Sequence, residues 1–210
     1  MDLLDVLFRA LHILFGIAWI GLLYYFNFVQ TEYFKVSEPS AKSDVVQKLV
    51  PNALWYFRYA ALFTFLTGLY LIHYLSIAIN VSIILGAVMG TLMFLNVWLI
   101  IWPNQKKVIA GAADAADAGA KAGLASRTNT LFSIPMLWFM VYSAHGSAIG
   151  NVILSVEESL TALWVGLLII LAIEANAVFG KMNAAITSVK AVIHSGIALT
   201  IILGLLVCYL

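Results

Sequence analysis

Residues 3–28 read LLDVLFRALHILFGIAWIGLLYYFNF, an apolar run longer than the roughly 20 helical residues that cross a bilayer. Within it His12, Gly16, Trp19, Leu23 and Asn27 follow one another at steps of three or four, so they share one helix face. That face offers a ring nitrogen, clearance for a flat group at Gly16 and a wall for that group at Trp19. A histidine hydrogen-bonded to a neighbouring helix would produce the same pattern, and the residues alone leave both readings open.

The rest of the chain repeats the membrane signature. It has 210 residues, 63% of them hydrophobic and 10% charged, with a mean hydropathy of +1.01, whereas soluble domains carry about one quarter charged residues. The expected fold is all-α: a polytopic membrane helical bundle of about six transmembrane helices in a single transmembrane domain, 1–210. The spans are expected over residues 3–28, 53–75, 81–102, 128–146, 160–179 and 187–210, with loops at 29–52 and 103–127. If the spans alternate, ten of the eleven Lys and Arg residues fall on one side, leaving Arg9 alone on the other. Positive charge marks the cytoplasmic face, so both termini are expected outside and the two loops inside, with the chain multi-pass in a bacterial inner membrane. No basic segment precedes the first run, which reads as a retained span and not a cleaved leader.

Several local features carry expectations of their own. Asp44 to Gln47 has capping-box spacing, which predicts a helix start there and a stop before Pro51. Trp102-Pro103 with Lys106 and Lys107 predicts a sharp end to the third span, and a short antiparallel connection is expected at 76–80. The alanine- and glycine-rich stretch 108–126 predicts a separate surface helix, paired by Asp117 and Lys121. Gly86 and Gly90 form a GxxxG that suits close helix packing, and Pro135 removes a hydrogen bond to the Leu131 carbonyl.

All four histidines, His12, His73, His145 and His194, lie inside expected spans, where ionisable groups are costly. At about 1.5 Å per residue, His12, His73 and His145 share the outer leaflet and His194 lies beyond the midplane. Imidazole ligates haem iron, zinc and copper. Zinc or copper favours several ligands with short spacing such as HxxxH, which is absent. Haem b, one or two per chain, needs only one or two axial imidazoles, small residues and aromatic walls, and it is the expected cofactor, with all four histidines, Gly16 and Trp19 as its candidate residues. Asn27, Gln30, Asn104, Arg127 and Asn129 gather at the cytoplasmic side as candidates for binding a planar polar anion. Glu174 is a candidate proton relay, although pairing with Lys181 or Arg127 is the competing reading.

Three stretches carry a resemblance: Leu11 to Gln30; Asn96-Val97-Trp98 with Ile101 to Lys106; and Arg127-Thr128-Asn129-Thr130 running into Ser133-Ile134-Pro135-Met136. Together they resemble the membrane-bound urate oxidase N-terminal domain family, over spans one to four and more loosely over five and six. The resemblance implies oxidation coupled to the respiratory chain, in proteins that end in a cytochrome c domain. This sequence contains no CxxCH, so the expected electron exit is a separate cytochrome c or a respiratory complex. The first span also resembles that of haem-binding protoporphyrinogen oxidases, whose histidine corresponds to His12. The competing functional classes are a non-catalytic accessory subunit of a respiratory oxidase or cytochrome bc complex, and a transporter. Membrane lipid is the expected surround and nucleic acid no partner, with homo-oligomer formation left open.

Overall fold

The computed structural model describes residues 3–74, 79–146 and 159–209. Among these residues the chain forms nine α-helices and two π-helical segments. They are α1 (Leu3–Tyr24), a first π segment (Tyr25–Gln30), α2 (Thr31–Val36), α3 (Pro39–Lys48), α4 (Val50–Tyr74), α5 (Val81–Leu95), a second π segment (Asn96–Ile101), α6 (Trp102–Ile109), α7 (Ala115–His145), α8 (Leu160–Phe179) and α9 (Val189–Tyr209). The all-α expectation holds. Four continuous helices are long and apolar enough to cross a membrane: Leu3–Val36, Val81–Ile109, Leu160–Phe179 and Val189–Tyr209. The other two expected spans fall in α4, whose apolar run is interrupted by Arg58, His73, tyrosines and threonines, and in α7, whose first half is polar.

The structure corrects three local expectations. Asp44 starts no helix, because Pro39 at the first helical turn begins α3 earlier and leaves Asp44 mid-helix, paired with Lys48 four residues on. The third span does not end at Trp102-Pro103. The π segment just before Pro103 widens the helix where a proline would otherwise strike the carbonyl four residues back, and Asn104 Nδ2 donates to the Ile100 carbonyl at 2.8 Å. The alanine-rich stretch is not a separate surface helix either: α7 starts at Ala115 and runs without interruption through Pro135 to His145. What the glycines there provide is the stop of α6. Gly111, at φ +62°, donates to the Val108 carbonyl while Ala112 donates to that of Lys107, a pattern that caps the free carbonyls of a helix end. Of the connection expected at 76–80, residues 75–78 lie outside the described residues.

The chain divides into two compact units, Met1–Leu75 with Phe94–Arg127 and Ser76–Met93 with Thr128–Leu210. In the first, α1 packs along α4. Phe8 stacks on Tyr70, Phe15 on Phe63, and Phe26 meets Phe57 edge-on, so the partner number falls as the α1 number rises and the pair is antiparallel. In the second, glycines set the spacing. A Cβ on Gly86 would lie 3.4 Å from the Met140 nitrogen and the Phe139 Cβ of α7, and one on Gly166 would lie 3.0 Å from Leu85. The GxxxG therefore serves helix packing, as its spacing predicts. Between helices in lipid no hydrophobic force operates, and van der Waals contact of this closeness takes its place.

Candidate functional site

His12 is the candidate ligand whose ring is held by hydrogen bonds, both of them at Nδ1. Its Nδ1 lies 2.9 Å from the Thr64 carbonyl oxygen and 3.0 Å from Thr67 Oγ1, both on α4. A carbonyl only accepts, so Nδ1 carries the proton and donates, and Nε2 of the neutral ring keeps its lone pair. Thr67 is itself fixed, its hydroxyl donating to the Phe63 carbonyl at 2.6 Å. Room for the ring comes from Gly68, where a Cβ would stand 3.1 Å from His12 Cε1. This arrangement is the outer-shell contact that ligating histidines use to fix tautomer and ring orientation. It is equally the bond to a neighbouring helix that the sequence left open, so the ring is tethered at one nitrogen and available at the other.

The remaining stripe residues divide in function. Gly16 lies beside α4 at ordinary contact distance, the Thr64 methyl 3.9 Å from where its Cβ would be, while the small residue against the imidazole itself is Gly68. Trp19 is buried, with Nε1 lacking any partner. His73, His145 and His194 are exposed. Among the described residues no three His, Cys, Asp or Glu side chains converge as a metal-binding group, while a haem requires only one or two axial ligands.

A polar group assembles around the first π segment. Asn27 is buried and donates through Nδ2 to the Leu23 carbonyl at 2.9 Å and to Ser126 Oγ at 2.8 Å, tying the segment to α7. The next residue of α7, Arg127, is buried with Nη1 unpartnered, and Glu32 of α2 interacts with it electrostatically. Gln30, at the end of the segment, has a buried Oε1 without a partner. Three of the five residues expected to bind a planar anion thus belong to one neighbourhood. Asn104 and Asn129 each donate through Nδ2 to a backbone carbonyl, that of Ile100 at 2.8 Å and that of Met93 at 2.9 Å. Glu174 is buried on α8 and is not without a partner.

Sequence reasoning missed Thr64, Thr67 and Gly68 as the cradle of His12. Their signal was available, since positions i, i+3 and i+4 lie on one helix face. It also missed Arg58, whose guanidinium carbon sits 3.8 Å over the Trp102 ring, 5.1 Å from that of Tyr59 and 5.9 Å from that of Trp98.

Helices of membrane-crossing length and buried polar side chains define a polytopic helical membrane protein. Residues 77–207 match the urate oxidase N-terminal family, and the chain belongs to that family. The matched region takes in α8 and α9 as far as Val207 and leaves out the stretch 11–30, so His12 lies outside it. No curated protein and no solved structure matches the chain.

Proposed function

We propose that the protein is a haem b-binding redox protein of the inner membrane, in which His12 would hold the haem through Nε2. The observation that carries the reading is the Nδ1–H donated to the Thr64 carbonyl at 2.9 Å, which leaves a neutral, oriented imidazole with a free lone pair beside Gly68. Haem bound there would supply one-electron chemistry. Thr64 and Thr67 hold the ring's tautomer, Gly68 gives it room, and the Phe15–Phe63 stack lies one turn away on the same helix pair. His73, five residues beyond Gly68 on α4, is the second-ligand candidate from the same unit.

The Asn27–Gln30–Arg127 group is the substrate side of this proposal. Buried donors and acceptors without partners are costly in a membrane interior. Arg127 Nη1 would donate to, and Gln30 Oε1 accept from, a planar anion rich in carbonyl and N–H groups, the chemistry of an oxidised purine such as the family's urate. Electrons would leave to a separate cytochrome c.

The test is the visible spectrum of purified protein, oxidised and then reduced with dithionite, beside His12→Ala and His194→Ala. Sharp b-type bands that vanish in His12→Ala and persist in His194→Ala are expected. A colourless wild type recovered at full yield, after expression with haem supplied, would sink the reading and leave His12 as a packing residue. With haem retained, Arg127→Gln is expected to slow reduction by urate at least tenfold without altering the bands; unchanged reduction would remove the substrate assignment alone.

A further inference from the structure

Arg58 presents a problem the redox reading does not use. It lies near the start of α4, half-buried beside the second π segment and α6, and a permanent cation held in an apolar surround needs an anion or a strong substitute. Among the described residues no carboxylate stands within ion-pair distance of it. Its surroundings are aromatic: Trp102, Tyr59 and Trp98 around the guanidinium, with Tyr59 and Trp98 packed edge to face at 5.9 Å. Rings attract the cation, yet they accept no ordinary hydrogen bond. Arg58 Nε and Trp98 Nε1 are accordingly both buried and both without a partner.

A second cation joins the same ring. Lys106 Nζ lies 5.4 Å from the Trp102 centroid and its side chain is exposed. Like charges sharing one indole repel, and an anion between or beside them turns that repulsion into attraction. The aromatic surround sets its depth. Trp55 and Tyr56 are 48% and 57% exposed on the outer side of α4, and tryptophan and tyrosine exposed on a membrane helix belong at headgroup level. Charge, unspent N–H donors and depth therefore select an oxyanion carried at the bilayer interface.

We infer that Arg58, Trp98 and Lys106 form a binding site for the phosphate of an anionic phospholipid. Arg58 and Lys106 take the charge, Trp98 Nε1 donates to a phosphate oxygen, and Trp102 holds both cations at that level. The site is independent of His12 and of any cofactor, so its test stands apart from the redox reading.

Native mass spectrometry of the detergent-purified protein with added phosphatidylglycerol or phosphatidylcholine reads the site directly. Wild type is expected to retain phosphatidylglycerol preferentially. One basic residue at a membrane surface is worth about 1 kcal/mol, so Arg58→Gln is expected to weaken retention about fivefold. Lys106→Gln should weaken it about as much, Arg58→Lys less, and Trp98→Phe, which keeps the ring and removes the donor, about twofold. Should Arg58→Gln fail to fold, Lys106→Gln and Trp98→Phe still decide. Equal retention by wild type and folded variants would overturn the inference. So would full displacement of the lipid by millimolar inorganic phosphate, because the site would then take a free anion and not a headgroup.

Discussion

The two compact units solve the problem of burying a helix face in opposite ways. In the second, small residues bring backbones together: Gly86 against Phe139 and Met140, Gly166 against Leu85, Gly196 against the Leu131 carbonyl. In the first, α1 and α4 meet through stacked rings and a histidine, and buried polar atoms are left over. Six of the seven buried side-chain atoms without a partner among the described residues belong to the first unit: those of Trp19, Gln30, Ser37, Arg58, Trp98 and Arg127. Satisfied packing explains itself, whereas unspent hydrogen bonds in a membrane protein call for a ligand. The difference places close backbone approach in the second unit and most of the unspent polar atoms in the first, where the proposed binding sites lie. The family match covers the second unit from residue 77 to residue 207 but reaches the first only over residues 94–127, so most of the matched region is the packed scaffold.

The largest effect that would break this contrast lies at Gly196. Its Cβ position is 2.7 Å from Ile134 Cδ1 and 3.1 Å from the Leu131 carbonyl oxygen, the carbonyl that Pro135 deprives of its usual donor. Gly196→Val must push α9 away from α7. A loss of about 1–3 kcal/mol in reversible unfolding from mixed micelles is expected, the range of overpacked cores. If the variant unfolds like wild type, the second unit is not held by close approach.

Gly68 sharpens the comparison from the other side. A Cβ there meets the far end of a side chain, His12 Cε1 at 3.1 Å, and not backbone. Gly68→Ala should therefore alter global stability by less than about 1 kcal/mol while tilting the imidazole off its Thr64 bond. Two-dimensional NMR of the histidine ring nitrogens reports this directly: a mixture of tautomers is expected in place of the single Nδ1–H form. A large loss of stability with the tautomer unchanged would make the α1–α4 contact one more packing interface.

These positions also mark how far the sequence could be read. Helical class and the apolar runs were legible because composition and period report them directly. The end of the third span was misread at Pro103 because a proline stops an α-helix but not one that has just widened by a π turn, and no local pattern announces that turn. His12 stood out by its stripe, while its cradle did not, because Thr64, Thr67 and Gly68 become partners only through the antiparallel pairing of α1 with α4. Arg58 was counted as one cation among ten, since its cage draws on α4, the second π segment and α6, and its unmet hydrogen bonds exist only in three dimensions.

The smallest expected effect sets a baseline for the buried contacts of the first unit. Where α6 turns into α7, Lys107 Nζ donates to Asp114 Oδ2 at 2.6 Å across the Gly111 turn, with both side chains about half exposed. The ammonium holds the Asp114 carboxyl below its ordinary pKa, chiefly through that hydrogen bond. A carboxyl whose folded value is depressed contributes stability that is complete above the unfolded value and is lost as pH falls through the folded one. Water screens an exposed pair, so the contribution is small, and acidification should loosen this turn locally without unfolding the helices. Amide exchange at Ala112, whose N–H caps α6 on the Lys107 carbonyl at 3.0 Å, is the measurement. At neutral pH Asp114→Asn should exchange slightly faster there than wild type, and the difference should disappear once Asp114 is protonated. Equal exchange at neutral pH would mean that Gly111 alone makes the turn. A difference large enough to reach the His12 tautomer would mean that surface pairs and buried bonds in this unit form one cooperative network, and the contrast between close packing and unspent polar atoms would then have to be drawn inside the first unit as well.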